Sequence, residues 1–160
     1  MAEMFEVGEL LRVAVEDERT GAAFYSTLAE TVSDPTLGKT FRDLAAEELG
    51  HQARFEAMLK AAGEHQAPEG YAGEYTAYLG ALTVNRAFPD EQAAQRQAHR
   101  CADDREAIEL ALRIERDTLV LLNEMRKLVS DKARSAVEDI IAEEQSHLVK
   151  LTGAMETLAG

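Results

Sequence analysis

The chain has 160 residues, a formal net charge of −13, 46% hydrophobic residues, three prolines and one cysteine, Cys101. That length suits a single domain with a substantial core, and the acidity excludes nucleic acid, which requires a basic footprint. One cysteine excludes an intrachain disulfide and any cysteine-based zinc or rubredoxin-type iron site.

No basic region followed by an apolar run opens the sequence, so no signal peptide is expected. No uncharged apolar run approaches the length needed to cross a bilayer. A reducing cytoplasm is the expected setting.

The first helix is predicted from about Phe5 to Val32. Ser33-Asp34-Pro35 then breaks it, with Asp34 as N-cap and Pro35 at the first position of a second helix running to Ala62. Gly63 marks its end. From Gly63 to about Cys101 the chain carries Pro68, Gly70, Gly73, Gly80 and Pro89, the signature of a connection. Within it Tyr71, Tyr75, Tyr78, Leu79 and Leu82 predict one short amphipathic segment, its tyrosines packing the crossover onto the bundle or onto another subunit. A third helix is predicted from Asp103 or Asp104 to Val129, and a fourth after Ser130-Asp131, ending near Leu158. The expectation is all-α: a four-helix bundle of two antiparallel hairpins (about 5–62 and 103–158) joined by a crossover (about 63–102), the ferritin-like connectivity.

The two hairpins repeat each other. Ala46-Glu47-Glu48-Leu49-Gly50-His51 in the second helix matches Ala142-Glu143-Glu144-Gln145-Ser146-His147 in the fourth. Glu18-Arg19 and Glu115-Arg116 precede them at nearly equal distances. The apolar stripe of the second helix reads Leu37, Phe41, Leu44, Glu48, His51, Phe55, Met58, and that of the fourth Val137, Ile140, Glu144, His147, Leu151. These steps of three and four keep every member on one inward face. Glu18 and Glu115 interrupt the stripes of the first and third helices in the same way. Glu47 and Glu143 fall off the seam and are expected in solvent, so Glu47→Ala should leave metal content unchanged.

Buried ionised carboxylates require partners or metal. Two divalent cations neutralise Glu18, Glu48, Glu115 and Glu144, while His51 and His147 add ligands without charge. One Glu from each of two helices and a Glu-x-x-His from each of the others is the inventory of a dimetal carboxylate site. Oxygen and nitrogen donors of this mixture suit iron or manganese, with zinc as a substitute.

On these residues the chain resembles the rubrerythrin branch of the ferritin-like superfamily, over both hairpins. The resemblance implies that Glu48 and Glu144 bridge two irons, with Glu18 and His51 completing one and Glu115 and His147 the other. Tyr25, seven residues after Glu18, matches a family tyrosine near the diiron site, with a redox role or a hydrogen bond to a ligand carboxylate. The implied chemistry is oxidation of a diferrous centre by hydrogen peroxide or dioxygen, followed by re-reduction. Two departures stand out. Thr118 occupies the position of a further Glu that takes part in a redox-linked ligand change in rubrerythrins, and the four-cysteine rubredoxin-like domain is missing. A peroxidase would then need an external electron donor, and without one the site would work as a ferroxidase.

The alternatives are a non-catalytic iron-binding or delivery protein and a structural dimetal bundle; a storage shell and an oxygenase of an organic substrate are lesser readings. A homodimer or higher homo-oligomer is expected. Arg19 and Arg116 are assigned to ion pairs beside the seam, Arg54 and Lys150 to solvent, His65 and His99 to the surface, and Cys101 to no chemistry.

Overall fold

A computed structural model describes residues 7–62 and 73–160. Among these residues there are six helices and no strand: α1 (Val7–Thr31), α2 (Pro35–Ala62), α3 (Gly73–Val84), α4 (Glu91–Arg100), α5 (Asp104–Leu128) and α6 (Asp131–Ala159). The expected features at Phe5, Gly63, His65, Pro68, Gly70 and Tyr71 lie outside the described residues.

Helix ends fall where capping chemistry puts them. The Asp34 carboxylate accepts from Thr36 N at 2.7 Å and Leu37 N at 3.1 Å, satisfying two amides that have no partner within the helix. Asp103 caps α5 by accepting from Glu106 N at 2.8 Å. Glu106 reaches back to Ala102 N at 2.6 Å, a reciprocal arrangement close to a capping box. Ser130 caps α6 through Ala133 N. The two hairpins meet at Asp104, whose carboxylate accepts from Ser33 N at 2.7 Å and Asp34 N at 2.9 Å. The start of α5 thereby holds the α1–α2 turn.

The core forms two apolar clusters. One gathers Leu11, Val15, Phe55, Leu122, Met125, Val137 and Ile140; the other gathers Phe24, Leu28, Phe41, Leu44, Ile108, Ala111 and Leu151. The first lies before Glu18 on α1 and before Glu144 on α6, but after His51 on α2 and after Glu115 on α5. Hence α1 and α6 run one way along the bundle and α2 and α5 the other. The six seam residues sit between the clusters, at mid-height.

The connection from α2 to α5 must therefore travel the length of the bundle, and it does so with two helices where one segment was expected. Leu79 of α3 joins the first cluster. Ala94 and Ala98 of α4 are fully buried in the second, together with Phe88, whose ring lies 5.1 Å from that of Phe24. Two alanines one turn apart let α4 lie close along α1. Such small residues make a weak apolar stripe, which is why periodicity overlooks α4, although Pro89-Asp90-Glu91 spells its start: Asp90 accepts from Ala93 N at 2.7 Å. The crossover does pack on the bundle. Tyr75 donates to Glu124 Oε2 at 2.7 Å, while Tyr78 remains 41% exposed.

Candidate metal centre

All six seam residues converge. Glu18, Glu48, Glu115, Glu144, His51 and His147 are each no more than 5% exposed. They form two groups, Glu18–Glu48–His51–Glu144 and Glu48–Glu115–Glu144–His147, in which one donor atom from each member lies within 4.8 Å of the others. Glu48 and Glu144 belong to both groups.

Whether these residues suit metal can be judged from their atoms. His51 Nδ1 lies 2.8 Å from Glu144 Oε1, and His147 Nδ1 lies 2.9 Å from Glu144 Oε2 and 3.2 Å from Glu48 Oε1. Donor atoms about 2.1 Å from one ion and roughly at right angles around it stand about 3 Å apart. Despite that proximity, both Nδ1 atoms, both oxygens of Glu144, Glu18 Oε2 and Glu48 Oε1 have no hydrogen-bond partner. Buried polar atoms are normally hydrogen-bonded, so six orphans aimed at one spot suit a pair of cations.

The protonation pattern agrees. Burial, with further repulsion from Glu144 and Glu115, pushes Glu18 well above the usual carboxylate range despite a bond to Glu48. Burial and Glu18 do the same to Glu48. Burial raises Glu115 to about 7, opposed by its bond to His147 and assisted by Glu144. Burial and Glu48 act against ionised Glu144, but the adjacent His147, His51 and Glu115 outweigh them and bring it below its ordinary value. Both imidazoles are raised: burial works against their charge, and the surrounding carboxylates win. Without metal, protons neutralise the cluster; with metal, those protons must leave.

Each imidazole is held from behind by the opposite hairpin. His51 Nε2 is 2.8 Å from Glu143 Oε2 and His147 Nε2 is 2.7 Å from Glu47 Oε2. Arg54 donates to Glu143 at 2.6 Å and Lys150 to Glu47 at 2.9 Å. This corrects the expectation that Glu47, Glu143, Arg54 and Lys150 are simply solvated. They lie off the seam and partly exposed, but the neighbouring hairpin's histidine projects to them. With Nε2 engaged by a carboxylate, Nδ1 is left facing the cluster, the pairing that fixes a ligating imidazole's orientation. A helical-wheel argument considers one helix at a time and misses this. The usable signal was the doubling of the first Glu in each Glu-Glu-x-x-His and of a basic residue three places after each His.

Tyr25 is fully buried, stacks on Phe41 with centroids 5.8 Å apart, and donates its hydroxyl to Glu115 Oε1. Burial and the nearby Glu115 and Glu48 charges hold its phenol well above its ordinary pKa. Arg19 pairs with Glu16 at 2.7 Å beside the seam, Arg116 is exposed, and His99 lies exposed on α4. Thr118 is half-buried one turn beyond Glu115 and brings no carboxylate to the cluster. Cys101 donates to the Gln97 carbonyl, at 3.5 Å. Asp17, raised by burial to about 7 and paired with Arg86 at 3.6 Å, had no signal in the sequence.

No helix among the described residues is long and apolar enough to cross a membrane. Fold and centre together define a ferritin-like helical bundle of the diiron-carboxylate class. Within that class the chain belongs to the rubrerythrin family, whose model matches residues 9–155. It is similar in structure to a Thermotoga maritima protein described as a candidate ferritin-like diiron-carboxylate protein, with 26% identity, 98% of each chain covered and a TM-score of 0.74. No curated protein sequence matches the chain significantly.

Proposed function

We propose that this protein is a non-haem diiron oxidoreductase that oxidises bound Fe²⁺ with hydrogen peroxide or dioxygen. The observation that carries the reading is the convergence of six buried donor-bearing side chains, five of which present buried atoms with no hydrogen-bond partner. Glu18 and His51 would hold one iron, Glu115 and His147 the other, with Glu48 and Glu144 shared. Iron at this position supplies one-electron redox chemistry with oxygen species. The chain's part is to fix geometry, exclude bulk water and manage protons. Glu47 and Glu143 hold the imidazoles through Nε2. Tyr25 donates to Glu115 and restrains that carboxylate from the other hairpin. Burial lets the carboxylates give up protons to solvent only when cations replace them.

With a single cysteine in the 160 residues, no four-cysteine iron site is present in this sequence to return electrons. Peroxidase turnover would draw its electrons from outside these 160 residues; where none are supplied, incoming Fe²⁺ is itself the reductant and the activity is that of a ferroxidase. Thr118 favours a second reading, iron handling without turnover, because a residue with no carboxylate cannot take part in a carboxylate switch.

Anaerobic Fe²⁺ titration followed by rapid mixing with peroxide or dioxygen separates these readings. Two irons per chain and fast oxidation support the oxidoreductase, and the faster oxidant distinguishes peroxidase from ferroxidase use. Two irons with no fast oxidation support iron handling or a structural metal. Substoichiometric binding overturns the centre.

A further inference from the structure

The two faces of the centre are unequal. On the α2–α6 face His51, His147 and Glu144 are fully buried, and the residual exposure belongs to Glu48 at 5% and to Glu18 and Glu115 at 2% each. Glu18 and Glu115 belong to α1 and α5, and Glu48 of α2 turns its Oε2 toward Gly21 of α1, so this residual exposure falls on the α1–α5 side. A cavity of about 270 Å³ lies there, lined among others by Thr20, Gly21, Leu82, Phe88, Ile114 and Thr118. Its polar edge includes Asp17 and Arg86, themselves 3.6 Å apart.

Gly21 forms the inner wall. A Cβ added there would sit 3.5 Å from Glu48 Oε2, and its next nearest neighbours are also atoms of the Glu48 side chain. Gly21, which lines the cavity, therefore also stands directly against that carboxylate. Gly21 stands three residues after Glu18, as Thr118 stands three after Glu115. The repeat thus places Gly21 and Thr118, at matching positions, on the same cavity, while the opposite face carries the two imidazole rings and their carboxylate braces.

We propose that this cavity is the access port of the metal centre, admitting small solutes (a divalent cation, then peroxide or dioxygen) past a constriction formed by Gly21 and Thr118. The assignment rests on the metal-centre reading above. A branched side chain at Gly21 closes the constriction from α1, and a large ring at Thr118 fills it from α5.

The test follows Co²⁺ uptake by metal-free protein in a stopped-flow absorbance experiment, with equilibrium stoichiometry measured separately. Gly21→Val and Thr118→Trp are expected to slow uptake at least tenfold while still reaching two ions per chain. Reaction of the Fe²⁺-loaded variants with peroxide slows in parallel. Ala57→Trp, in a separate hollow between the α2 and α6 ends, leaves uptake unchanged. Should Gly21→Val lower the stoichiometry by disturbing Glu48, Thr118→Trp decides alone. Wild-type uptake rates in Thr118→Trp at full stoichiometry overturn the port and leave the metal centre standing. Equal slowing by Ala57→Trp overturns it as well. A wild-type protein that takes up no Co²⁺ overturns the centre and the port together.

Discussion

Replacing Glu47 should weaken the metal ion held with His147 while sparing the one held with His51, and replacing Glu143 should do the reverse. Glu47 accepts from two groups, His147 Nε2 at 2.7 Å and Lys150 Nζ at 2.9 Å. Burial alone would raise its pKa, but the Lys150 and His147 bonds prevail and hold it below the ordinary carboxylate value, so it is ionised at neutral pH. In Glu47→Gln the side-chain oxygen can still accept, but the charge is lost. A hydrogen bond to a charged group is about twice as strong as the ordinary net contribution of about 1 kcal/mol, so about 1 kcal/mol disappears. That is roughly fivefold in affinity. In Glu47→Ala the imidazole loses its brace altogether. Such changes behind a metal ligand cost about 10- to 100-fold in affinity. The Glu47 side chain is 36% exposed, and solvent screening places the effect near the lower end, about tenfold. Glu143, 43% exposed and paired with Arg54, should behave alike. Because the two braces act on different imidazoles, a Glu47→Ala/Glu143→Ala double variant should weaken both ions. Competition for Co²⁺ against a chelator, followed by absorbance, measures each step. Two ions bound with wild-type affinity by both single alanine variants would refute the bracing argument.

Glu48→Ala and Glu144→Ala each remove a carboxylate shared by both donor groups, so each should abolish the two-ion complex rather than one half of it; a normal two-ion titration in either would remove that residue from the shared position. Tyr25→Phe deletes the hydroxyl that donates to Glu115 and leaves a buried acceptor short of a partner, a loss of about 1–3 kcal/mol readable as a fall in Tm of the metal-free protein. The pH dependence should change sign with metal. Glu115 is raised to about 7 from 4.5, so the folded state holds that proton more tightly, and stability present below 4.5 is lost as pH rises through about 7. The shift corresponds to about 3 kcal/mol. Glu18 and Glu48 act in the same direction, as do the raised histidines, whose contribution is intact below 6.5 and lost above. Glu144, lowered, opposes them, its contribution failing as pH falls below 4.5. Metal-free protein should thus melt at lower temperature at pH 8 than at pH 5, and metal-loaded protein at higher temperature. Parallel trends in thermal scans would contradict the cluster's protonation.

The bundle was legible because its helices are long, regular and punctuated. Asp34-Pro35, Asp103-Asp104 and Ser130-Asp131 mark helix starts to within a residue, and the stripes identify the seam. The six converging residues were legible because each breaks an apolar stripe and each has a counterpart in the other hairpin. What stayed hidden depends on a second helix. Glu47 and Glu143 point away from their own seam, so only the packing of α2 beside α6 reveals that they meet the opposite histidines. Gly21 reads as a weak spot in α1 until Glu48 is seen behind it. Helix α4 was missed for another reason: alanines bury little apolar area each, and their contribution is close packing on α1 rather than a visible hydrophobic stripe.

The placement of the centre between the two apolar clusters bears on why the hairpins hold together at mid-height. Above and below, α1, α2, α5 and α6 share buried side chains such as Phe55 with Ile140 and Phe41 with Ile108. At the level of the centre that apolar contact is replaced by carboxylates and imidazoles, which attract one another without metal only after taking up protons. Each donor group draws residues from both hairpins: Glu144 joins Glu18, Glu48 and His51, and Glu48 joins Glu115, Glu144 and His147. Glu143 and Glu47 add cross-hairpin bonds behind each ring. A metal pair bound there would link the two hairpins at the layer where apolar contact gives way to ionisable groups, and its binding free energy would add to the stability of the bundle. A centre that also turns over must tolerate rearrangement of those same ligands. In such a centre the imidazoles braced by Glu143 and Glu47 would preserve the cross-link between hairpins, and Tyr25 would hold Glu115 from the opposite hairpin while the other carboxylates adjust.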